Sequence, residues 1–255
     1  MRLDRINDME QYVLNHETVS LEELAKQFDV SINTIRRDVN ELLERGRIRK
    51  VYGGVSAKEN IKPLPVNIRA SKNRDAKHEI GRMAAELVRD GDTIFLDSGS
   101  TVVEMIPHLA KKERITIVTH SLTTMYEASK HPSLQVIALG GLYNHSTSSF
   151  VGLSTMQTLS DIYASAVFVA ATGVSLSHGL TNTTFFEAEI KRHAVNRSSK
   201  VILMADHSKF DYSSTITFYD FSKLYAVVTD RKPSEKYMEV IRNNHIRLFY
   251  RGHEE

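Results

Sequence analysis

Cysteine is absent from this chain of 255 residues. That excludes a disulfide framework and thiol chemistry, and it suits a reducing cytosol. Long apolar runs are missing too. The longest, Ala166 to Thr172, falls far short of the roughly 18 to 20 residues that a membrane span needs, so no membrane partner is expected. The opening Met1-Arg2-Leu3-Asp4-Arg5, with acids soon after, does not read as a secretory signal. Internal repeats and low-complexity tracts are lacking. The histidines have no metal-ligand spacing, and His16, His78, His108 and His131 read as surface or capping residues. No metal, no cofactor and no catalytic residue is therefore expected. What remains is an ordinary globular composition, 41% apolar and 25% charged, in a length that suits about two domains.

The net charge of +2 says little, but its distribution says more. Residues 1–29 carry three Lys/Arg against seven acids, giving −4, whereas residues 30–58 carry seven against three, giving +4. A basic stretch of this kind is usually a solvated helix face. Here it coincides with a structural motif. Leu3, Ile6, Met9 and Val13 have helical spacing, as do Leu21, Leu24, Ala25 and Phe28 after the capping pair Ser20 and Glu23. Ser31 is a second cap, and Ile32, Ile35, Val39, Leu42 and Leu43 mark a third helix ended by Gly46. Arg47 to Tyr52 then alternates as a strand does, and Gly53-Gly54 signals a hairpin turn. Three helices and a basic hairpin over residues 1–57 make a winged helix-turn-helix. Ser31, Asn33, Thr34, Arg36, Arg37 and Asn40 occupy the outward face of the third helix, and Asn33, Thr34 and Arg37 lie near its start, the part that reaches base edges in the major groove. Arginine pairs bidentately with guanine and asparagine with adenine. Arg47, Arg49 and Lys50 suit phosphates or the minor groove and position the protein without naming a sequence. The alternative is a soluble helix whose arginines pair with Asn40 or Glu41.

Residues 58–75 are polar, contain Pro63-Leu64-Pro65, and read as a linker. From residue 76 to 255, helical stretches near 76–89, 101–110 and 121–130 alternate with short apolar strands at 93–96, 115–118, 134–139, 166–171, 201–205, 225–229 and 246–250. This order predicts an α/β domain with a mostly parallel sheet covered on both faces. In such a sheet the loops after the strands converge on one crevice. Asp97-Ser98-Gly99-Ser100-Thr101 follows a strand and precedes a helix, which suits either an anion cradle or a simple capped turn. Without a Gly-Lys-Ser/Thr ending it is no Walker loop. Thr119-His120-Ser121, Gly140-Gly141, Thr172-Gly173-Val174 and Asp206-His207-Ser208-Lys209 occupy comparable positions. Lys209 suits phosphate as a point charge. Glu187 and Lys191, four residues apart, read alternatively as an ordinary surface pair.

Several of these motifs together resemble the DeoR family of bacterial sugar-metabolism regulators: Ser20–Ala25, Ser31–Asp38, Val51–Gly54, Asp97–Thr101, Gly140-Gly141, Ala171–Val174, Glu187–Lys191 and Asp206–Phe210. The resemblance covers nearly the whole chain. It implies a sensor domain similar to ribose-5-phosphate isomerase that binds a phosphorylated sugar or sugar-acid effector. The effector phosphate would lie near Ser98, Gly99, Ser100, Thr101 and Lys209, with sugar hydroxyls near Asp97, His120 and Glu187. Lys191, Gly140, Gly141 and Gly173 would complete the site. The stretch Arg5–Leu14 resembles repressors of myo-inositol catabolism, for which the implied inducer is a phosphorylated keto-sugar acid. The expected protein is thus a cytoplasmic repressor, a homodimer or homotetramer on double-stranded operator DNA. The alternatives are a sugar-phosphate isomerase with a DNA-binding head, using Asp97 or Glu187 as base, and a transcriptional activator.

Overall fold

The computed structural model describes residues 2–16, 18–44, 48–57 and 66–254. The chain divides into two compact units, Met1–Lys62 and Pro63–Glu255. Gly46, Arg47 and the proline-containing stretch 58–65 lie outside the described residues.

In the first unit, α1 (Arg2–Asn15), α2 (Leu21–Gln27) and α3 (Ile32–Glu44) enclose a core of Ile6, Met9, Val13, Leu24, Ile35, Val39 and Leu42. These are the apolar positions that the helical spacing singles out. The Ser20 hydroxyl accepts from the Glu23 amide at 3.0 Å, and the Ser31 hydroxyl accepts from the Thr34 amide at 3.3 Å. Both caps therefore satisfy donors that a helix start leaves without partners. Asp29, at φ 50°, turns the chain between them; a short polar side chain tolerates that left-handed conformation. The wing has three strands, one more than the hairpin predicts. β1 (Val19–Ser20) pairs antiparallel with β3 (Gly54–Ala57), which pairs with β2 (Ile48–Val51). A side chain at Gly54 would stand 2.1 Å from the Val19 carbonyl oxygen, so the third strand closes only over glycine. Arg5 of α1 reaches the buried Asp38 of α3, with Nη2 2.8 Å from Oδ2.

The second unit opens with α4 (Val66–Ser71) and α5 (Arg74–Glu86), so residues 66–75 of the expected linker carry helix. The strands that follow are β4 (Thr93–Leu96), β5 (Ile115–Thr119), β6 (Leu134–Ala138), β7 (Leu142–Asn144), β8 (Ser149–Val151), β9 (Ala166–Val169), β10 (Gly173–Ser175), β11 (Gly179–Asn182), β12 (Val201–Met204), β13 (Ile216–Tyr219), β14 (Ala226–Val228), β15 (Arg247–Tyr250) and β16 (His253–Glu254). Interspersed are α6 (Ile106–Leu109), α7 (Leu122–Ser129), α8 (Leu153–Ser160), α9 (Phe185–Val195) and α10 (Glu235–Asn243). Eight strands form one sheet in the order β16-β15-β14-β12-β9-β4-β5-β6, parallel throughout except for β16. Alternation along each strand feeds two cores. Phe95, Val118, Val167 and Val169 enter one, while Ile94, Leu96, Ile117 and Phe168 enter the other. The fold is the α/β class with a mostly parallel sheet that the sequence predicts.

Two features depart from the sequence reading. The expected helix at 101–110 begins as a 3₁₀ turn, Val102–Met105, before α6, whose first turn holds Pro107. A small antiparallel sheet, β10-β11-β13, and the hairpin β7-β8 are additions built from strands of three or four residues.

Candidate functional sites

α3 presents two chemically distinct faces. Ile35, Asp38, Val39 and Leu42 are buried, whereas Ser31, Asn33, Arg36 and Arg37 are exposed at its amino-terminal half. Thr34 is half-buried, and its hydroxyl lies 3.0 Å from that of Ser31, so both hydroxyls are engaged in the cap. On the wing, Arg49 and Lys50 are exposed between the buried Ile48 and half-buried Val51. The candidate Arg47 lies outside the described residues. The basic candidates that are described thus sit on solvent-facing surfaces of α3 and β2.

In the second unit, the loops after β4, β5 and β9 meet a segment running from β11 into α9. Asp97, fully buried after β4, takes the Lys191 ammonium at 3.0 Å and the Ala170 amide at 3.1 Å on Oδ2. Lys191 also donates to the Ala170 carbonyl at 2.7 Å and to Asn182 Oδ1 at 3.2 Å. Glu187 accepts from the Ser98 hydroxyl at 3.0 Å, the Asn182 amide at 3.0 Å and the Thr184 hydroxyl at 3.2 Å. Glu187 and Lys191 are therefore not the surface pair that their spacing also allows. Each is buried and serves a different partner. Thr172, from the loop after β9, donates to Asn182 Oδ1 at 3.2 Å, whereas the positions of Asn182 and Thr184 in this network are not announced by any motif, because they reach the cluster through the small sheet and the start of α9.

Three buried polar atoms at the centre lack a hydrogen-bond partner: Asp97 Oδ1 and both ring nitrogens of His120. His120 Nε2 lies 4.0 Å from Asp97 Oδ1, and the imidazole stacks on Phe95 with ring centroids 5.8 Å apart. Burial lowers the His120 pKa despite the nearby Asp97 and Glu187 carboxylates, keeping the ring neutral, with one donor and one acceptor nitrogen. Burial pushes the Asp97 carboxyl up, but the Lys191 ammonium and the Ala170 amide outweigh it and the net shift is downward. Asp97 is thus an ionised acceptor beside a neutral imidazole, an arrangement suited to a hydroxyl that donates to one and accepts from the other. It is poorly suited to proton abstraction. Asp97 is held by Lys191 and made less basic, and Glu187 is committed to three donors, whereas a general base must be poised near the operating pH.

The other candidates divide. Ser98, Ser100 and Thr101 are buried in the loop after β4, and Gly99 lies so close to the end of β9 that a side chain would stand 2.3 Å from Ala170 Cβ. Lys209, half-buried, ends a 3₁₀ turn capped by Asp206, whose Oδ1 accepts from the Ser208 amide at 3.0 Å. Gly140 and Gly141 are exposed beyond the edge strand β6 and packed by Thr155, which donates to the Gly140 carbonyl at 2.6 Å. Gly173 begins β10 against Tyr212, where a side chain would stand 2.4 Å from a backbone oxygen. Gly141 and Gly173 thus have close-packing duties, whereas a side chain at Gly140 would meet open space. Lys77, absent from the sequence-derived set, is buried beside Asp206 and Lys209.

Comparison with known proteins follows the same division. Residues 5–60 match the DeoR-like helix-turn-helix domain, and residues 72–231 match the DeoR C terminal sensor domain. The HTH-type transcriptional regulator IolR of Bacillus subtilis is 39% identical over 246 residues, covering 96% of this chain and 98% of that protein. The HTH-type transcriptional regulator GolR of Listeria innocua is 32% identical over 90% of this chain and 91% of its own. The glycerol-3-phosphate regulon repressor of Escherichia coli is 29% identical, covering 96% and 97%. Among solved structures, ribose 5-phosphate isomerase A of Methanocaldococcus jannaschii aligns with 55% of each chain at 18% identity and a TM-score of 0.41. Among the described residues no helix is long and apolar enough to cross a membrane.

Proposed function

This chain belongs to the DeoR family of transcriptional regulators, and we propose that it represses a carbohydrate catabolic operon until a phosphorylated sugar or sugar acid releases it from its operator. The observation that carries the effector reading is the set of partnerless polar atoms on Asp97 and His120. Buried polar groups ordinarily find partners, and a polyhydroxylated ligand supplies them. Ser98, Ser100, Thr101 and Lys209 would take the phosphate, and Asp97, His120 and Glu187 the hydroxyl end. Myo-inositol catabolism is the proposed pathway, supported by the likeness of Arg5–Leu14 to its repressors. The protein would act in the cytoplasm as a dimer or tetramer, with Asn33, Thr34 and Arg37 at base edges, Arg36 beside them on the DNA-facing side, and Arg49 and Lys50 at phosphates. Ligand binding would favour a sensor arrangement with poor half-site spacing, which requires different affinities for the two states.

The test combines a thermal-shift screen of phosphorylated sugars and sugar acids with a release assay on DNA that the protein itself selects from random sequence. A stabilising compound should release the wild type. Asp97→Asn and Ser100→Ala should keep the DNA affinity and lose the release. Unimpaired release in both variants would overturn the site.

A further inference from the structure

Strand β6 ends the eight-stranded sheet, and among the described residues no strand pairs with its outer side. In a parallel ladder each residue turns its N–H and C=O to the same side, and successive residues alternate. Leu139 donates to the Thr119 carbonyl of β5 at 2.9 Å, so the odd-numbered residues of β6 face β5. The N–H and C=O of Val136 and Ala138 therefore face outward, without a hydrogen-bond partner among the described residues. Such an edge is a template for another strand, and proteins blunt it with a charge, a proline, a bulge or a very short strand. The opposite edge is blunted in the last way, for β16 has two residues. β6 has none of these devices. It keeps an unbroken register with β5 over its whole length, and no residue from Ser133 to Asn144 is charged or a proline. Ile137 on the strand is 39% exposed, and Leu142 and Leu153 beyond its end are 72% and 75% exposed. Both leucines flank the edge. Leu142 follows Gly140-Gly141, and Thr155, in the same turn of α8 as Leu153, donates to the Gly140 carbonyl at 2.6 Å.

We propose that this edge joins two copies of the chain, their β6 strands running antiparallel across a twofold axis at Ile137. A twofold axis through a sheet edge makes the strand meet its own copy antiparallel, with the same patch on both sides. With the axis at Ile137, Val136 of each copy stands opposite Ala138 of the other, and each such pair exchanges both of its hydrogen bonds. Every outward group named above is then satisfied. Leu134, whose N–H already donates to the His131 carbonyl at 3.0 Å, is not called on. The two Ile137 residues form a non-hydrogen-bonded pair with Cα atoms about 4.5 Å apart, the spacing at which cross-strand apolar side chains touch. Charge points to a second copy as the occupant. The axis sets each group against its own kind, so a patch of one sign would repel itself, whereas this uncharged stretch does not. A stable pair buries about 800 Å² on each partner, and Leu142 and Leu153 extend the apolar surface beyond the ladder toward that area. This rests on the reading of a dimer or tetramer and adds to it the surface through which the copies meet.

The experiment is sedimentation equilibrium of the full chain over a range of concentrations. The wild type should associate reversibly. Ile137→Lys and Ile137→Glu, each alone, place like charges at the axis and should raise the dissociation constant of one association step by roughly 100-fold or more. An equimolar mixture of the two should recover association, because opposite charges then meet; a misfolded variant would not be rescued in this way. Hydrogen exchange of the wild type needs no substitution. The Val136 and Ala138 amides should be protected in the associated protein and exposed on dilution, while those of Gln135 and Ile137, bonded to β5, stay protected throughout. If the variants associate as the wild type does, or if the Val136 and Ala138 amides exchange fast in the associated protein, the edge is not the junction and the oligomer reading survives. A mixture of folded variants that stays dissociated overturns the pairing at Ile137. A wild type that is monomeric at every concentration removes both readings.

Discussion

Burying the Lys77 ammonium has a price that depends on pH. The unfolded chain keeps this proton up to about 10.5, whereas the folded protein releases it from about 8. Between those values the unfolded state binds more protons, so this residue makes stability rise with pH; below about 8 both states are protonated and the penalty is present in full. The stability of Lys77→Met relative to wild type should therefore fall by roughly 1–3 kcal/mol between pH 7 and pH 10, measured by urea unfolding at the two values. A constant difference would show that the ammonium is not strained. On the DNA-reading face, Arg37→Ala should relax base preference. Lys50→Ala should weaken all sequences alike and reduce the slope of affinity against salt by about 1; binding titrations on a set of related sequences decide it. The sequence names Arg37, Asp97 and Glu187 because they sit in motifs. It is silent on Lys77, which reads as part of a polar helix face. Its burial comes from the Asn73–Asp206 contact, made across more than a hundred residues of chain.

At the scale of elements, legibility follows packing. The inner strands of the large sheet are buried on both faces, so they appear as apolar runs, and the predicted positions agree with β4, β5, β6, β9, β12, β14 and β15 to within a residue or two. The strands β10, β11 and β13 mix threonine, serine and asparagine with a few apolar residues, and three or four positions set no period. β1 is two residues long and exists through its pairing with β3. That pairing depends on Gly54. Gly54→Ala places a methyl against the Val19 carbonyl and should lower the stability of the first unit by more than about 1 kcal/mol. Ser20→Ala, which removes only a helix cap, should cost about 1 kcal/mol. Circular dichroism melts of the two variants test the ranking, and a Gly54→Ala variant as stable as wild type would remove β1 from the account.

Over the whole molecule, the first unit has its own core around Ile6, Leu24 and Ile35, and the second has one on each face of its sheet. Separate cores predict separate unfolding. Scanning calorimetry should resolve two transitions, and an effector should raise the one that belongs to the second unit by mass action. A single transition that shifts as one would show the units to be thermodynamically fused. The opposed faces of α3 carry a consequence for how such proteins diversify. Asp38, tied to Arg5, fixes the helix from within, while the residues proposed to meet DNA stand on the other side and contribute nothing to that anchor. Operator preference can then be rewritten at Asn33, Arg36 and Arg37 without disturbing the fold, so one scaffold and one sensor can be redirected from gene to gene by exchanging a handful of surface side chains.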